Sequence, residues 1–320
     1  MKKALYASVC IISMMLLASC QTMVMNAVSD SLSGANKNGV APKKVADNDM
    51  MTVLTGEEDP VLMAGFFPTA LKLYDIMLAQ NPEHQGLATM TGSLYVMYAN
   101  VFVQANADML DVTDYILQQS ELQRAKLHYL RGRTYGFQAF DGRYPGFSDA
   151  LLSGDEDRIA TALEQLTTDD VNAAYWLGAG WLGAFSVDPL DTSLLRTTGG
   201  AVALLEKAAA LDPDYSDGAI WDILTAFYAS TGDFGGDMER AYFTSEESFR
   251  VSGGKSPSPY VTYATAFCVP QEDIDGFVEY LNAALAINPD DNPSTRLATI
   301  ITQQKAAWLL ENIDDYFIVW

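Results

Sequence analysis

Cysteine, histidine and clustered acids are the side chains through which this 320-residue chain could do chemistry. The most informative is Cys20, which closes Leu17-Ala18-Ser19-Cys20: an apolar residue, two small ones, then a thiol. That spacing suits a cysteine that receives a diacylglyceryl group before the bond in front of it is cut. Two acyl chains would make a stable anchor, since each buried CH₂ contributes ~0.8 kcal/mol. Ahead of it, Lys2 and Lys3 precede an apolar stretch from Ala4 to Ala18. A bilayer-spanning helix needs ~20 apolar residues, so this shorter run reads as a cleaved signal over residues 1–19.

Other chemistry is harder to assemble. Cys10 leaves with the signal, and Cys268 stands alone among apolar neighbours, where a thiol is a small buried hydrophobe. With no internal disulfide to form, the fold must rest on its core. His84 lies in a turn after Asn81-Pro82-Glu83, and His128 lies within a helix. They read as a surface histidine and a packed one; no Cys/His cluster has zinc-ligand spacing. Neither a Gly-x-Ser-x-Gly elbow nor a phosphate-cradling Gly-rich loop with Lys-Ser/Thr is present. Asp212-Pro213-Asp214-Tyr215-Ser216-Asp217-Gly218 imitates a calcium loop, but its glycine comes one place late and Ile223 stands where the final Glu belongs. Asp155-Glu156-Asp157, Asp169-Asp170, Asp290-Asp291 and Asp314-Asp315 flank helices, where carboxylates cap free N–H groups. An enzymatic reading would need a cleft with two facing carboxylates. The expectation is a non-enzyme without cofactor or metal.

The elements that would carry these residues are helices. Residues 20–55, with Ser29-Asp30-Ser31-Leu32-Ser33-Gly34 and Lys37-Asn38-Gly39, read as a lipidated, flexible tether. Residues 56–320 read as one helical domain, starting near Asp59-Pro60, where proline suits a first helical turn. No second stretch reads as long and apolar enough to cross a bilayer. The formal charge of −22 disfavours nucleic acid and anionic lipid surfaces as partners. Apolar residues recur at helical spacing, and strand-type alternation is scarce. Three helices end before proline with a small-bulky-small pattern: Ala201, Leu205, Ala208 and Pro213; Ala70, Tyr74, Met77 and Pro82; Phe277, Leu281, Ala284 and Pro289. This is the second helix of a TPR unit, in which small residues let paired helices approach and proline fixes the following turn. The intervals are uneven, so the fold class is all-α, with irregular TPR-like hairpins forming an α-solenoid-like body.

Aromatic residues are the candidate binding groups. Tyr95, Tyr98 and Phe102 share one helical face with Asn100 offset, and Tyr175, Trp176 and Trp181 lie in a second helix beside Gly178, Gly180 and Gly183. On a TPR scaffold such rings either anchor a partner segment or fill the core between hairpins. Tyr98, Asn100, Tyr175 and Trp176 are the candidate ligand- or partner-binding residues.

Blocks spread along the chain carry a resemblance. They include Gly56-Glu57-Glu58-Asp59-Pro60, Phe67-Pro68-Thr69-Ala70-Leu71, Tyr98-Ala99-Asn100-Val101-Phe102, Ala174-Tyr175-Trp176-Leu177-Gly178, Gly235-Gly236-Asp237-Met238-Glu239-Arg240, Ser258-Pro259-Tyr260-Val261 and Ile313-Asp314-Asp315-Tyr316-Phe317. In their order, and with the lipobox, the sequence resembles the TRAP-transporter-associated T component (TatT) family of periplasmic lipoproteins. The resemblance implies cryptic TPR hairpins and a homotrimer with a central pore. It implies docking of the periplasmic solute-binding subunit of a TRAP transporter, with a hydrophobic or acidic solute passing through the pore. The expected location is the periplasm, lipid-anchored to a membrane. A different class of function, a TPR lipoprotein scaffold for outer-membrane or envelope assembly, stands beside it.

Overall fold

The computed structural model describes residues 28–31, 50–230, 232 and 235–317; the signal segment, Cys20 and most of the tether lie outside them. Every regular element among the described residues is helical. The longer helices are α1 (Met50–Thr55), α2 (Pro60–Gln80), α3 (Gln85–Tyr98), α4 (Tyr115–Arg143), α5 (Glu156–Glu164) and α6 (Val171–Val187), then α7 (Thr198–Leu211), α8 (Ala219–Ser230), α9 (Met238–Ser252), α10 (Ser258–Tyr263), α11 (Ile274–Leu285) and α12 (Arg296–Glu311). This is an all-α, solenoid-like body.

Local chemistry sets the boundaries. Asp59 caps α2 by accepting from the amides of Val61 and Leu62 at 2.9 and 3.1 Å, with Pro60 in the first turn. The proline-ended helices stop at Gln80, Leu211 and Leu285, because proline disfavours helical geometry in the residue before it. The small-bulky-small residues of all three patterns are buried.

Glycine lets the layers approach. A Cβ on Gly132 of α4 would lie 2.5 Å from Val96 Cγ2 and 2.9 Å from the Gly92 carbonyl of α3. On Gly178 of α6 it would lie 2.5 Å from Leu205 Cγ of α7. α4 runs antiparallel to α3 and, through Gly136–Leu177 and Tyr129–Gly183, antiparallel to α6, so α3 and α6 point the same way. Tyr215–Asn172 and Phe185–Phe227 contacts at their two ends align α8 with α6.

The solenoid closes on itself. α12 returns to α1 and α2, Arg296 Nη1 donates to the Gly56 carbonyl at 3.1 Å, and Lys305 pairs with Asp108 at 3.0 Å. Leu297 and Ile301 of α12 join the main core, while Ala306 and Leu309 belong to a second core with Cys268, Phe277 and Leu281.

Three expectations change. α1 lies within residues 20–55 yet packs on residues 293–295 and α12. Residues 28–31 also touch the body: Ser29 is buried and Asp30 Oδ1 lies 3.0 Å from His84 Nε2. His84 is consequently buried, not superficial. Finally, α2 is long and apolar enough to cross a bilayer, with mean hydropathy 1.4. Its face of Phe67, Leu71, Tyr74 and Leu78 is nonetheless buried in the helical core.

Replacing Gly178 with valine forces Leu205 aside, and such overpacking costs about 1–3 kcal/mol. Urea unfolding should show a lower midpoint at an unchanged slope. A midpoint equal to wild type would contradict the close approach.

Candidate functional site

The ring of helices surrounds a cavity of about 1070 Å³, just above the ~300–1,000 Å³ range of small-molecule sites. Its wall is built from helical stripes. α3 and its extension contribute Thr89, Met90, Ser93, Met97, Asn100 and Gln104; α6 contributes Asn172, Tyr175, Trp176, Ala179 and Ser186; α8 contributes Asp222, Ile223, Ala226 and Ser230. Spacings of three and four put each set on one helix face. α1 and α12 complete the wall with Thr52, Thr55, Thr299 and Thr302.

Two irregularities shape it. After Tyr98 the helix widens into a π-helical segment, Ala99–Gln104, in which the Ala105 amide donates to the Asn100 carbonyl. Such segments recur at functional sites, and this one carries Asn100, Val101 and Gln104 into the wall. Before α8, Ser216 and Asp217 adopt left-handed φ of 49° and 54°, and Gly218 one of 90°. That strained turn carries the imitation calcium loop. Asp217 there accepts from Asn292 Nδ2 at 2.9 Å, and no metal-ligand cluster occurs among the described residues.

The wall is mostly apolar and hydroxyl-bearing. Among the described residues its only ionisable groups besides tyrosine are Asp214, Asp217 and Asp222. Asp214 and Asp217 are exposed at the amino ends of α6 and α8; Ser186, Leu190 and Ser230 are exposed at the carboxyl ends. Asp222 is half-buried one turn into α8. Its Oδ2 accepts from the Ser258 hydroxyl, and Oδ1 is closed off from water. Burial pushes its carboxyl up, opposed only in part by the Ser258 and Thr262 hydroxyls.

Tyr175 stands in the same end of the cavity, its ring 4.9 Å from Trp176 and 5.2 Å from Tyr215. Burial, then the nearby Asp222, push its phenol up to about 12. Tyr175, Trp176 and Asn100 therefore share one cavity. Tyr98 does not. It faces the opposite side of α3 with Tyr95 and Phe102, against Phe67 and edge-on to His128 at 5.1 Å. At 7% exposure it is core, and its hydroxyl accepts from Arg124.

Sequence reasoning missed Asp222, Ser258 and the α3 stripe. Asp222 interrupts the apolar run Ile220-Trp221-Asp222-Ile223-Leu224, and an acid there was the available signal. Cys268 is buried as expected, its thiol pushed up to about 11 by burial and then by Asp273. It lies outside the cavity.

Behind α3, Asp75 accepts from Lys72, Tyr95 and Tyr135, each at 2.7 Å. His128 lies beside this cluster; burial, then Arg124, Arg131 and Lys72, push it down to about 4. An unfolded histidine titrates near ~6.5, so between these values the unfolded chain binds a proton that the fold refuses. Stability must fall as pH drops through that window, levelling off below about 4. Melting temperatures from pH 7 to 4 should drop less steeply in His128→Leu than in wild type. Parallel curves would contradict a neutral, half-buried His128.

A chain with this ring and cavity can be set beside known proteins. The family described as TRAP transporter T-component matches residues 56–317, nearly all of the described body. An uncharacterized protein of Treponema pallidum (strain Nichols) is 40% identical over 275 residues, which cover 86% of this chain and 85% of that relative. The chain belongs to the TRAP transporter T-component family.

Proposed function

We propose that this chain is a lipid-anchored periplasmic scaffold that docks the solute-binding subunit of a TRAP transporter and passes a small ligand through its internal cavity. Family membership supports association with a TRAP transporter. The observation that carries the finer reading is the 1070 Å³ cavity, walled by apolar and hydroxyl groups rather than by a catalytic constellation. Exposed lining residues at both ends of α6 and α8 give a solute somewhere to enter and to leave. Cys20 would supply the anchor, and the stretch between it and residues 28–31, which touch the body, the reach from the membrane.

The outer surface supports assembly. Tyr98 is core, and Tyr175 and Trp176 look into the cavity, so the docking surface lies elsewhere. On α2, Leu62, Phe66, Leu73 and Ile76 are 57%, 45%, 52% and 62% exposed. Together with Thr69 they fall at alternating spacings of four and three, the seam pattern of helices that pack on other helices. In our reading this stripe joins three copies.

Mature chain carrying Cys20→Ser, run through size exclusion with light scattering, should show a trimer whose mass rises on adding the TRAP solute receptor of the same organism. Leu73→Glu with Ile76→Glu should reduce it to monomers with an unchanged circular-dichroism spectrum. A wild-type monomer that ignores the receptor would sink this reading and favour an envelope-assembly scaffold.

A further inference from the structure

The charge lining the cavity has one sign. Asp214, Asp217 and Asp222 are its charged residues, and among the described residues no lysine, arginine or histidine joins them. The cations next to its lining residues in sequence or space are committed elsewhere or lie outside the wall. Arg250 bonds Glu247 at 2.7 Å and reaches Asp214 only at 3.8 Å. Arg296 bonds the Gly56 carbonyl and Asp290. Lys255 is exposed on the loop before Ser256.

A carboxylate solute entering such a cavity would lose water and meet three acids and no cation, with only neutral hydroxyl and amide donors to offset the loss. Asp222 has the opposite need. Its carboxyl has only hydroxyl partners, Ser258 on Oδ2 and Thr262 beside it, and among the described residues no cation pairs with it, so burial costs the charged form dearly. An ammonium group beside it would supply both counter-charge and donors. The faces of Tyr175, Trp176 and Tyr215 stand in the same end of the cavity, and aromatic faces attract cations. Met97, Leu182, Ile223 and Phe227 provide an apolar run for a tail.

We propose that the cavity takes an amphipathic solute with an amine or ammonium head, held at Asp222 with Ser258 and flanked by Tyr175, its apolar tail lying toward Leu182 and Phe227. Of the hydrophobic or acidic solute that the family resemblance implies, this keeps the apolar part and replaces the acid, and it rests on the reading of the cavity as a solute site. The raised carboxyl of Asp222 fits a group that becomes charged when a cation arrives.

The test is calorimetric titration of the mature Cys20→Ser chain with decylammonium, decanol and decanoate, which share a tail and differ in the head. Decylammonium should bind about tenfold more tightly than decanoate, with decanol between them. Asp222→Asn, which keeps the shape and an acceptor for Ser258, should cut the ammonium preference to about twofold and leave decanol unchanged. Ala226→Trp, which narrows the cavity beside Ile223 and Ser230, should weaken all three. A decanoate preference, or an ammonium preference that survives Asp222→Asn, would overturn the head-group proposal while leaving the cavity a solute site. Ammonium binding untouched by Ala226→Trp would reveal attraction to the acidic outer surface and overturn it too. Failure of all three probes to bind would remove the solute-site reading itself.

Discussion

Arg296 donates to the carbonyl of Gly56 across 240 positions of sequence, and Lys305 reaches Asp108 across 197. These contacts mark where the two ends of a helical solenoid meet, and the cavity exists because they do. Partly exposed polar contacts of this kind contribute only ~0–1 kcal/mol each, so they specify the seam more than they hold it. The holding falls to Leu297 and Ile301, buried in the core formed by the earlier helices, at ~1.5–3 kcal/mol for each such side chain. Gly56 matters at the same place: a Cβ there would lie 2.7 Å from the Pro293 carbonyl. Glycine at this position is what lets residue 56 and residue 293 come so close.

Closure divides each inner helix into two faces with different chemistry. α3 shows this most clearly. Tyr95, Tyr98 and Phe102 pack toward α2 and α4, around a polar knot of Lys72, Asp75, Tyr135 and Arg131. The opposite face offers methionine, serine, threonine and amide groups to the lumen. The basic residues follow the same division. Lys126 is held by Asp188 and Asp191 at 2.7 and 2.6 Å, Arg143 by Asp170 at 2.9 Å, and Arg240 by Glu206 at 2.8 Å. Among the described residues, these cations are thus paired in the walls, while the charged residues that line the space inside are acids. The electrostatic character of the cavity follows from that pairing.

Much of this was legible in the residues. The three proline-ended helices stop where the prolines require, and the all-α solenoid follows from their small-bulky-small faces. Asn100, Tyr175 and Trp176 could be picked out as polar or aromatic groups on helical faces, and they meet in the cavity. Tyr98 could not be separated from them, because an aromatic stripe has the same spacing whether it faces core or lumen. Only the position of the neighbouring helices decides that. The π-helical turn that displaces Asn100 depends on one extra residue per hydrogen-bonded ring, which has no local sequence mark. Ring closure was invisible for a different reason: nothing near Arg296 says that its partner is Gly56. His84 looked superficial because its partner, Asp30, lies in a polar segment that carries no apolar period.

Pulsed electron-spin resonance between labels at Val53 and Asp291, both exposed and on either side of the seam, tests the closed ring most directly. A closed ring gives one short, narrow distance distribution that persists when the solute receptor is added. A broad distribution reaching long distances would mean an open solenoid, a groove in place of a cavity, and no enclosed site for a solute.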